Sequence, residues 1–170
     1  MPSMLLWIEY GRFTIAGPAA GPGTQELPYG NGLVAATTDP PGGAVIVTGL
    51  ADGQVKVTAE LLSAEPQASV EEWEDAAVIG VRWPGGSIRV IGADVIPASE
   101  LTFTQPLPQG PLCLLVAGRN RDAGEEREPH DPVEEYLILA WPSPAGEADR
   151  TLKAASRTGA YWRKAQRRKP

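Results

Sequence analysis

The sequence predicts an all-β fold, a sandwich of about eight to nine short, mainly antiparallel strands with a basic C-terminal tail. Short apolar runs rich in Val, Ile, Leu, Thr and aromatic residues recur along the chain, which is typical of strands. The 19 glycines and 17 prolines fall between these runs, where they indicate turns. Helical spacing is scarce. A closed barrel is the alternative architecture.

The strands follow one another in short steps, and Gly or Pro bounds most of them. Their predicted ranges are Leu5–Ile15, Gly32–Thr37, Ala44–Gly49, Gln54–Leu62, Ala76–Trp83, Ser87–Gly92, Leu101–Thr104, Leu112–Gly118 and Glu134–Trp141. Two stretches have weak helical character. Ser69–Glu74 has Ser69 as an N-cap and acids in its first turn, and Leu152–Ala165 is the other candidate.

A faint internal repeat links two of these strands. Pro41–Gly49 (PGGAVIVTG) matches Pro84–Gly92 (PGGSIRVIG), and each copy leads to a Gly-x-Φ-x-Φ strand, at Gly53 or at Gly110. A duplicated strand unit would bury its apolar face by packing on its copy, as in a β-sandwich. The alternative is that PGG before a strand merely reflects turn chemistry.

The second copy predicts a pair of like charges. If Gly85 and Gly86 form a two-residue hairpin loop, Arg82 faces Arg89 across the strands. Like charges in this arrangement are unfavourable and need neutralisation. Either carboxylates of the same domain form ion pairs with them, or an anion or nucleic acid binds there.

Charge divides the chain into two parts. Residues 1–149 hold all 21 acids and seven bases, a formal charge of −14, and we expect them to form an acidic β-sandwich domain. Residues 150–170 hold no acid and form a basic tail. Its eight bases are Arg150, Lys153, Arg157, Arg163, Lys164, Arg167, Arg168 and Lys169.

The acidic residues are densest between the last two predicted strands of the body, in an expected loop. The candidate partner-binding residues are Asp122, Glu125, Glu126, Glu128, His130, Asp131 and Glu134. A metal site lacks support, because the chain has one histidine and neither HExxH nor EF-hand spacing. Acid–base catalysis needs a rigid cleft that separates two pKa values. Partner recognition and a merely solvated loop remain as interpretations.

Other catalytic constellations are missing from the sequence. It contains no GxSxG, no P-loop and no GxGxxG, and Cys113 lies in an apolar run where a buried structural thiol is expected. We therefore predict a non-enzymatic protein without cofactor or metal.

The basic tail contains an aromatic pair beside its cations. Tyr161 and Trp162 precede Arg163 and Lys164, and Arg167, Arg168 and Lys169 follow. Aromatic and basic side chains together bind single-stranded nucleic acid by stacking and charge neutralisation. The same residues also serve to anchor a tail on its own domain.

The sequence predicts a cytoplasmic protein. A single cysteine forms no intrachain disulfide, the apolar N-terminal stretch lacks the basic region of a secretory signal, and no apolar run reaches about 18 residues. We expect no membrane association. An unprotected edge strand would leave homodimerisation open.

The order of several motifs resembles a known family. WIEYGRF, NGLV, VTGLADGQVKV, EEWEDAAVIGV, LLVAGRNRD, VEEYLILAWP and TGAYWR, which cover most of residues 5–163, resemble a family of small uncharacterised all-β actinobacterial proteins. That resemblance implies no catalytic residues. The strand pattern and the Glu-Tyr-x-Φ-x-Φ-x-Trp-Pro close at Glu135–Pro142 are similar to competence-type nuclease inhibitors.

Three functional hypotheses follow. The first is an inhibitor- or immunity-like protein whose acidic surface binds a basic partner such as a nuclease or toxin. The second is a nucleic-acid-associated module that contacts phosphates through its basic tail. The third is a small ligand- or sugar-binding sandwich or hydrolase.

Overall fold

A computed structural model describes residues 2–17, 28, 30–38, 41–92, 102–103, 105–123, 133–143 and 149–165. Within them, ten strands form two sheets and a single helix follows the last strand. These elements are β1 (Ser3–Ile8), β2 (Arg12–Ala16), β3 (Val34–Thr38), β4 (Pro41–Val47), β5 (Gly53–Leu61), β6 (Asp75–Trp83), β7 (Arg89–Ile91), β8 (Gly110–Arg119), β9 (Glu135–Pro142), β10 (Arg150–Ala154) and α1 (Arg157–Ala165).

The two sheets make the predicted all-β sandwich, which is confirmed. The larger sheet has the order β1-β5-β9-β8-β6-β10 and the smaller has the order β3-β4-β2-β7. Neighbouring strands are antiparallel except for β5 and β9, which are parallel. The fold is therefore mainly antiparallel, as the short strands and frequent turns predict.

The main core consists of side chains that alternate along the strands of both sheets. In β5, Val55, Val57 and Ala59 are buried, whereas Lys56 between the first two is exposed. This period of two is what a strand with one buried face requires. The predicted segment Gln54–Leu62 carries this pattern most clearly.

A second buried cluster lies on the other face of the larger sheet. It contains Cys113, Leu115 and Trp141, and Val70 and Trp73 pack against it. Strands covered on both faces have nearly continuous apolar sequences, which accounts for the uninterrupted run in β8. Cys113 is a buried thiol that forms no disulfide, as predicted.

Several predicted elements differ from the structure. The range Leu5–Ile15 is two strands, because Tyr10 and Gly11 both have positive φ and turn the chain. Ser69–Glu74 is a turn in which Trp73 N–H donates to the Val70 carbonyl (3.1 Å), not a helix. Of Leu101–Thr104, only the two central residues are described, and they form no strand.

The predicted hairpin at Gly85 and Gly86 is wrong. Both glycines have positive φ, but the chain passes there from the larger sheet to the smaller one. Arg82 consequently lies opposite Pro111, and Arg89 lies opposite Ala16. The buried Trp83 indole donates to the Gly86 carbonyl (3.1 Å), which holds the crossing. The predicted pair of facing arginines does not form.

The two PGG copies lead to strands on either side of β2. Ile15 of β2 opposes Ala44 in one copy and Val90 in the other. These two residues hold different positions in the repeat, so the copies do not share a register. The strands that begin at Gly53 and Gly110 flank β9, one parallel and one antiparallel to it.

The C-terminal segment adds a strand and a helix to the fold. β10 pairs with β6 at the edge of the larger sheet, and its register shifts between Thr151 and Lys153. The predicted helix Leu152–Ala165 is helical only from Arg157. A bulge and charged side chains disfavour pairing of an edge strand with another chain. No helix in the described residues is long and apolar enough to cross a membrane.

Candidate functional site

A buried arginine joins the two sheets at one end of the sandwich. Arg121 follows β8, and its Nη1 lies 2.6 Å from Oδ2 of Asp75 at the start of β6, with both side chains 0% exposed. Its Nη2 donates to the carbonyls of Gly32 (3.0 Å) and Val47 (2.9 Å). These two carbonyls belong to the side of the smaller sheet, so a single guanidinium bridges both layers.

The charge of this guanidinium is retained inside the protein. Burial on its own lowers the pKa of Arg121, but the neighbouring Tyr136 and Asp75 raise it, and the net direction is upward. A buried ion pair is stabilising only when additional hydrogen bonds satisfy its remaining donors and acceptors. The two backbone carbonyls supply two such bonds to Arg121, whereas its buried Nε has no hydrogen-bond partner within the described residues.

Asp75 also holds the start of α1. Its Oδ1 accepts the N–H groups of Ala155 (3.1 Å) and Ser156 (3.3 Å), and the Ser156 hydroxyl donates to Oδ2. The Ser156 oxygen in turn accepts the Gly159 N–H (2.9 Å), which makes Ser156 the N-cap of α1. The buried ion pair and the helix therefore form one hydrogen-bonded unit.

Asp122 is a second anchor of the same helix. Its carboxylate accepts the N–H groups of Arg157 (2.8 Å) and Thr158 (2.9 Å) and the Thr158 hydroxyl (2.9 Å). Partial burial acts to raise the pKa of Asp122, but these hydrogen bonds and the Arg157 charge outweigh it and lower the pKa. A carboxylate is favourable at this position because the helix N-terminus carries positive partial charge.

Glu134 is buried, although the sequence assigns it to the partner-binding residues. It is 0% exposed, and its oxygens accept the N–H groups of Gly49 (2.6 Å) and Leu50 (2.9 Å). The Tyr136 hydroxyl donates to the same carboxylate. Burial and the neighbouring Glu134 raise the pKa of Tyr136 well above its ordinary value, so this hydroxyl keeps its proton. Glu134 thus fastens the chain to the β4–β5 turn and is not available to a partner.

The described ends of the acidic segment are therefore tied together. Asn120, which has a φ of 59°, donates from Nδ2 to the Val133 carbonyl (2.9 Å). Asp122 is fastened to α1 on one side, and Glu134 is fastened to Gly49 and Leu50 on the other. The remaining predicted partner-binding residues lie outside the described part of the chain: Glu125, Glu126, Glu128, His130 and Asp131.

Arg82 and Arg89 lie in different sheets. Arg82 is exposed on β6, whereas Arg89 is partly buried and its Nη2 donates to the Gly17 carbonyl (2.7 Å). Arg89 Nε is buried without a hydrogen-bond partner in the described residues. The structure does not bring the two arginines together as one anion site.

The helix α1 contains four of the tail residues that the sequence predicts to contact nucleic acid: Tyr161, Trp162, Arg163 and Lys164. Its exposed positions are Arg157, Tyr161 and Lys164, spaced so that they share one face of a helix. Trp162 meets the Tyr161 ring edge-on at 5.4 Å, and Arg163 donates to the Asn31 carbonyl (3.2 Å). Arg167, Arg168 and Lys169 lie outside the described residues.

A cleft of about 200 Å³ lies where α1 approaches two turns. Tyr10–Arg12 of the β1–β2 turn, Val47–Ala51 and Trp162 line it. Tyr10 is 82% exposed, and sequence reasoning placed it inside one long strand. Gly11 is the local sequence signal for a turn there, because Gly readily adopts positive φ.

These features place the chain in the class of all-β sandwich proteins. Among solved structures of this class, it is similar to ComJ from Bacillus subtilis, described as an inhibitor of the DNA degrading activity of NucA. The two share 16% identity with a TM-score of 0.56, and the match covers 84% of this chain and 96% of ComJ. A likeness at this identity shows a shared fold.

A second solved structure has a weaker likeness. It is described as crocagin biosynthetic gene J, with 12% identity and a TM-score of 0.48 over 84% of this chain and 96% of that one. No protein-family model and no curated protein matches the sequence. The resemblance to competence-type nuclease inhibitors is thus supported in fold, and the resemblance to an actinobacterial family stays a prediction.

Proposed function

We propose that this protein is a non-enzymatic, inhibitor-like module that binds a basic protein through the acidic segment between Asp122 and Glu134. The two end residues serve the fold. The binding residues of this proposal are the four carboxylates between them and His130: Glu125, Glu126, Glu128, His130 and Asp131.

The observation that carries this proposal is that the two ends of the acidic segment, which form its base, are held together. Its ends are joined by the bond from Asn120 to Val133 and are fastened to α1 and to the β4–β5 turn. Presenting charges from a rigid base lowers the entropy lost when a partner binds.

Charge supports a basic partner. Residues 1–149 carry 21 acids against seven bases, which produces a negative field around the sandwich. Such a field accelerates association with a cationic surface and weakens as salt is added. A nuclease surface that binds DNA phosphates is cationic, and ComJ, whose fold this chain resembles, is described as a nuclease inhibitor.

The test compares two variants with equal charge changes. In the first, Glu125, Glu126 and Glu128 become Gln and Asp131 becomes Asn. The matched control replaces four other carboxylates with Gln: Glu60, Glu65, Glu71 and Glu72, none of them fully buried. Both variants and the native chain are immobilised and exposed to lysate of the source organism at about 50 mM and about 300 mM salt. Purified NucA is tested directly in parallel.

We expect the native chain and the control to retain a basic protein at low salt, and the segment variant to lose it by about tenfold or more in affinity. The retained protein is then purified and titrated, and a nuclease is assayed for DNA degradation. Retention of no basic protein contradicts the proposal. Equal losses in the two variants contradict the assignment to this segment.

A second candidate function follows from the exposed face of α1. Arg157, Tyr161 and Lys164 lie on this face, the helix contains no acid, and three further bases follow in the sequence. Cations with an exposed ring match the chemistry of single-stranded nucleic-acid binding. Arg82 and Arg89 do not contribute to this second candidate, because they lie in different sheets.

The second candidate is tested by fluorescence anisotropy with a labelled 20-nucleotide single-stranded DNA. Binding by the native chain at about 50 mM salt that falls at least about tenfold at 200 mM salt would support it. The variants are Tyr161→Ala, Arg157→Gln with Lys164→Gln, and truncation after Ala165. Unchanged binding by all three variants, or no binding by the native chain, rejects the nucleic-acid function.

A further inference from the structure

Tyr10 occupies a backbone conformation that does not suit its residue type. It and Gly11 form the two-residue connection between β1 and β2, with Glu9 bridged to Arg12, and their φ angles are 58° and 65°. A hairpin turn with positive φ at both positions favours Asn or Asp followed by Gly. A bulky aromatic residue with positive φ is a genuine outlier.

Several hydrogen bonds hold this turn in place. Tyr10 N–H donates to Oδ1 of Asp52 (3.3 Å), and Gly11 N–H donates to the Ala51 carbonyl (2.8 Å). The Gly11 carbonyl accepts the Thr48 N–H (2.8 Å). The β1–β2 turn and the β4–β5 turn therefore form one fixed surface, and the Tyr10 side chain projects from it.

Burial does not account for a tyrosine at this position. The residue is 82% exposed, the largest value among the exposed large hydrophobic residues of the described chain. Neither backbone preference nor core packing favours Tyr here, and residues kept in such conformations cluster at functional sites. Tyrosine is also enriched among the few residues that dominate the energy of protein interfaces.

The position of Tyr10 connects it with the acidic segment. Tyr10, Gly49 and Leu50 line the same cleft, and Glu134 accepts the N–H groups of Gly49 and Leu50. The turn that supports Tyr10 is therefore the turn to which the base of the acidic segment is fastened. Trp162 adds a second aromatic residue to the cleft.

We propose that Tyr10 is the aromatic anchor of the interface with the basic partner, an inference that rests on the proposed function. Its ring would enter an apolar recess of the partner, with a partner Arg or Lys over its face, where cation–π attraction adds to burial. Glu9 precedes Tyr10 in the chain and Asp52 accepts its N–H, and both of these exposed carboxylates complement such cations. Arg12 is the one positively charged residue in this turn, and its Nε donates to the Tyr10 carbonyl (3.4 Å).

The test uses the preference of this turn type for Asn at the position of Tyr10. Tyr10→Asn removes the ring and places a favoured residue in the turn, so the variant should unfold at the same temperature as the native chain or higher. Tyr10→Phe keeps the ring. The matched control is Leu152→Asn, which removes another exposed apolar side chain, on β10. Each variant is measured by thermal unfolding and by biolayer interferometry against NucA and against the basic protein retained from lysate.

We expect Tyr10→Asn to weaken partner binding by about 30-fold or more, mainly through faster dissociation. Tyr10→Phe and Leu152→Asn should stay within about threefold of the native chain. The inference is overturned if Tyr10→Asn binds as tightly as the native chain while the acidic-segment variant does not. If no basic protein binds the native chain at all, the proposed function fails and this inference fails with it.

Discussion

Gly49 lies against the backbone carbonyl of Arg121, and a Cβ at residue 49 would stand 1.7 Å from that oxygen. This contact joins the β4–β5 turn to the residue that carries the buried guanidinium. Because the neighbouring atom is backbone, neither side can move without disturbing the hydrogen bonds of Arg121 and Glu134. Close backbone approach of this kind requires glycine.

Gly49→Ala should therefore destabilise the protein strongly. We expect a loss of about 3 kcal/mol or more in the free energy of unfolding, since overpacking here displaces backbone. The measurement is equilibrium unfolding in urea. Gly30→Ala is the matched control, because a Cβ at residue 30 meets nothing within 4 Å, and its effect should stay within about 0.5 kcal/mol. Similar losses in both variants would contradict this account.

Asp75→Asn should leave Arg121 as an uncompensated buried charge. We expect a loss of about 3–5 kcal/mol in the free energy of unfolding. Adding Arg121→Met to this variant should recover part of the loss, because the buried charge is then removed. Arg119→Gln tests the partly exposed pair with Glu135 (2.6 Å) and should cost about 1 kcal/mol or less. A small effect of Asp75→Asn would show that the pair is not needed.

The free energy of unfolding should decrease at acidic pH because Asp122 becomes protonated. Its folded pKa lies below the ordinary value of 3.8, so its contribution is present above that value and is lost as the pH falls through the folded pKa. Asp122→Asn keeps the shape of the side chain but removes its charge. We expect the native chain to be more stable than this variant by up to about 1 kcal/mol near pH 7, since the charge favours the helix N-terminus.

That difference should shrink as the pH falls below about 4, where the unfolded carboxyl takes up its proton first, and should vanish below the folded pKa, where Asp122 and the Asn of the variant are both neutral. Urea unfolding of the two proteins at several pH values measures it. A constant difference down to the lowest pH at which both proteins fold would rule out the role of the charge.

Alkaline stability should depend on Tyr136. Its folded pKa is raised well above the ordinary 10.0, so the neutral hydroxyl stabilises the fold below that value, and the contribution is lost as the pH rises beyond it. Tyr136→Phe removes the ionisable group, and its stability should fall less steeply than that of the native chain above about pH 10. Thermal unfolding between about pH 8 and pH 11 compares them. Parallel decline in the two proteins would refute the prediction.

Period-two patterns made much of the fold predictable. β5 has alternating and β8 continuous buried apolar positions, and the sequence predicts both strands to within one or two residues at each end. Such patterns can be recognised within one segment, because the alternation of buried and exposed positions is a property of that strand alone. Cys113 could be placed in the interior for the same reason.

Pairing between strands was less predictable. Pro84–Gly86 has the composition of a hairpin loop, yet the chain crosses there to the other sheet and Arg89 pairs with Ala16. β10 was not predicted as a strand, since Arg150–Ala154 is polar and lies at an edge with one partner, β6. Which strands meet depends on residues far apart along the chain.

The sequence by itself determined that this chain is an all-β sandwich with a negatively charged body, because apolar period and charge are properties of the residues in order. Only the tertiary structure decided which carboxylates serve the fold. Glu134 and Asp122 lie in the same acidic stretch as Glu128, but their oxygens bind backbone N–H groups of the β4–β5 turn and of α1. Those donors are distant in sequence, so only folding brings them within hydrogen-bonding distance. Tyr10 likewise reads as part of a strand until the turn fixes its positive φ and exposes its ring.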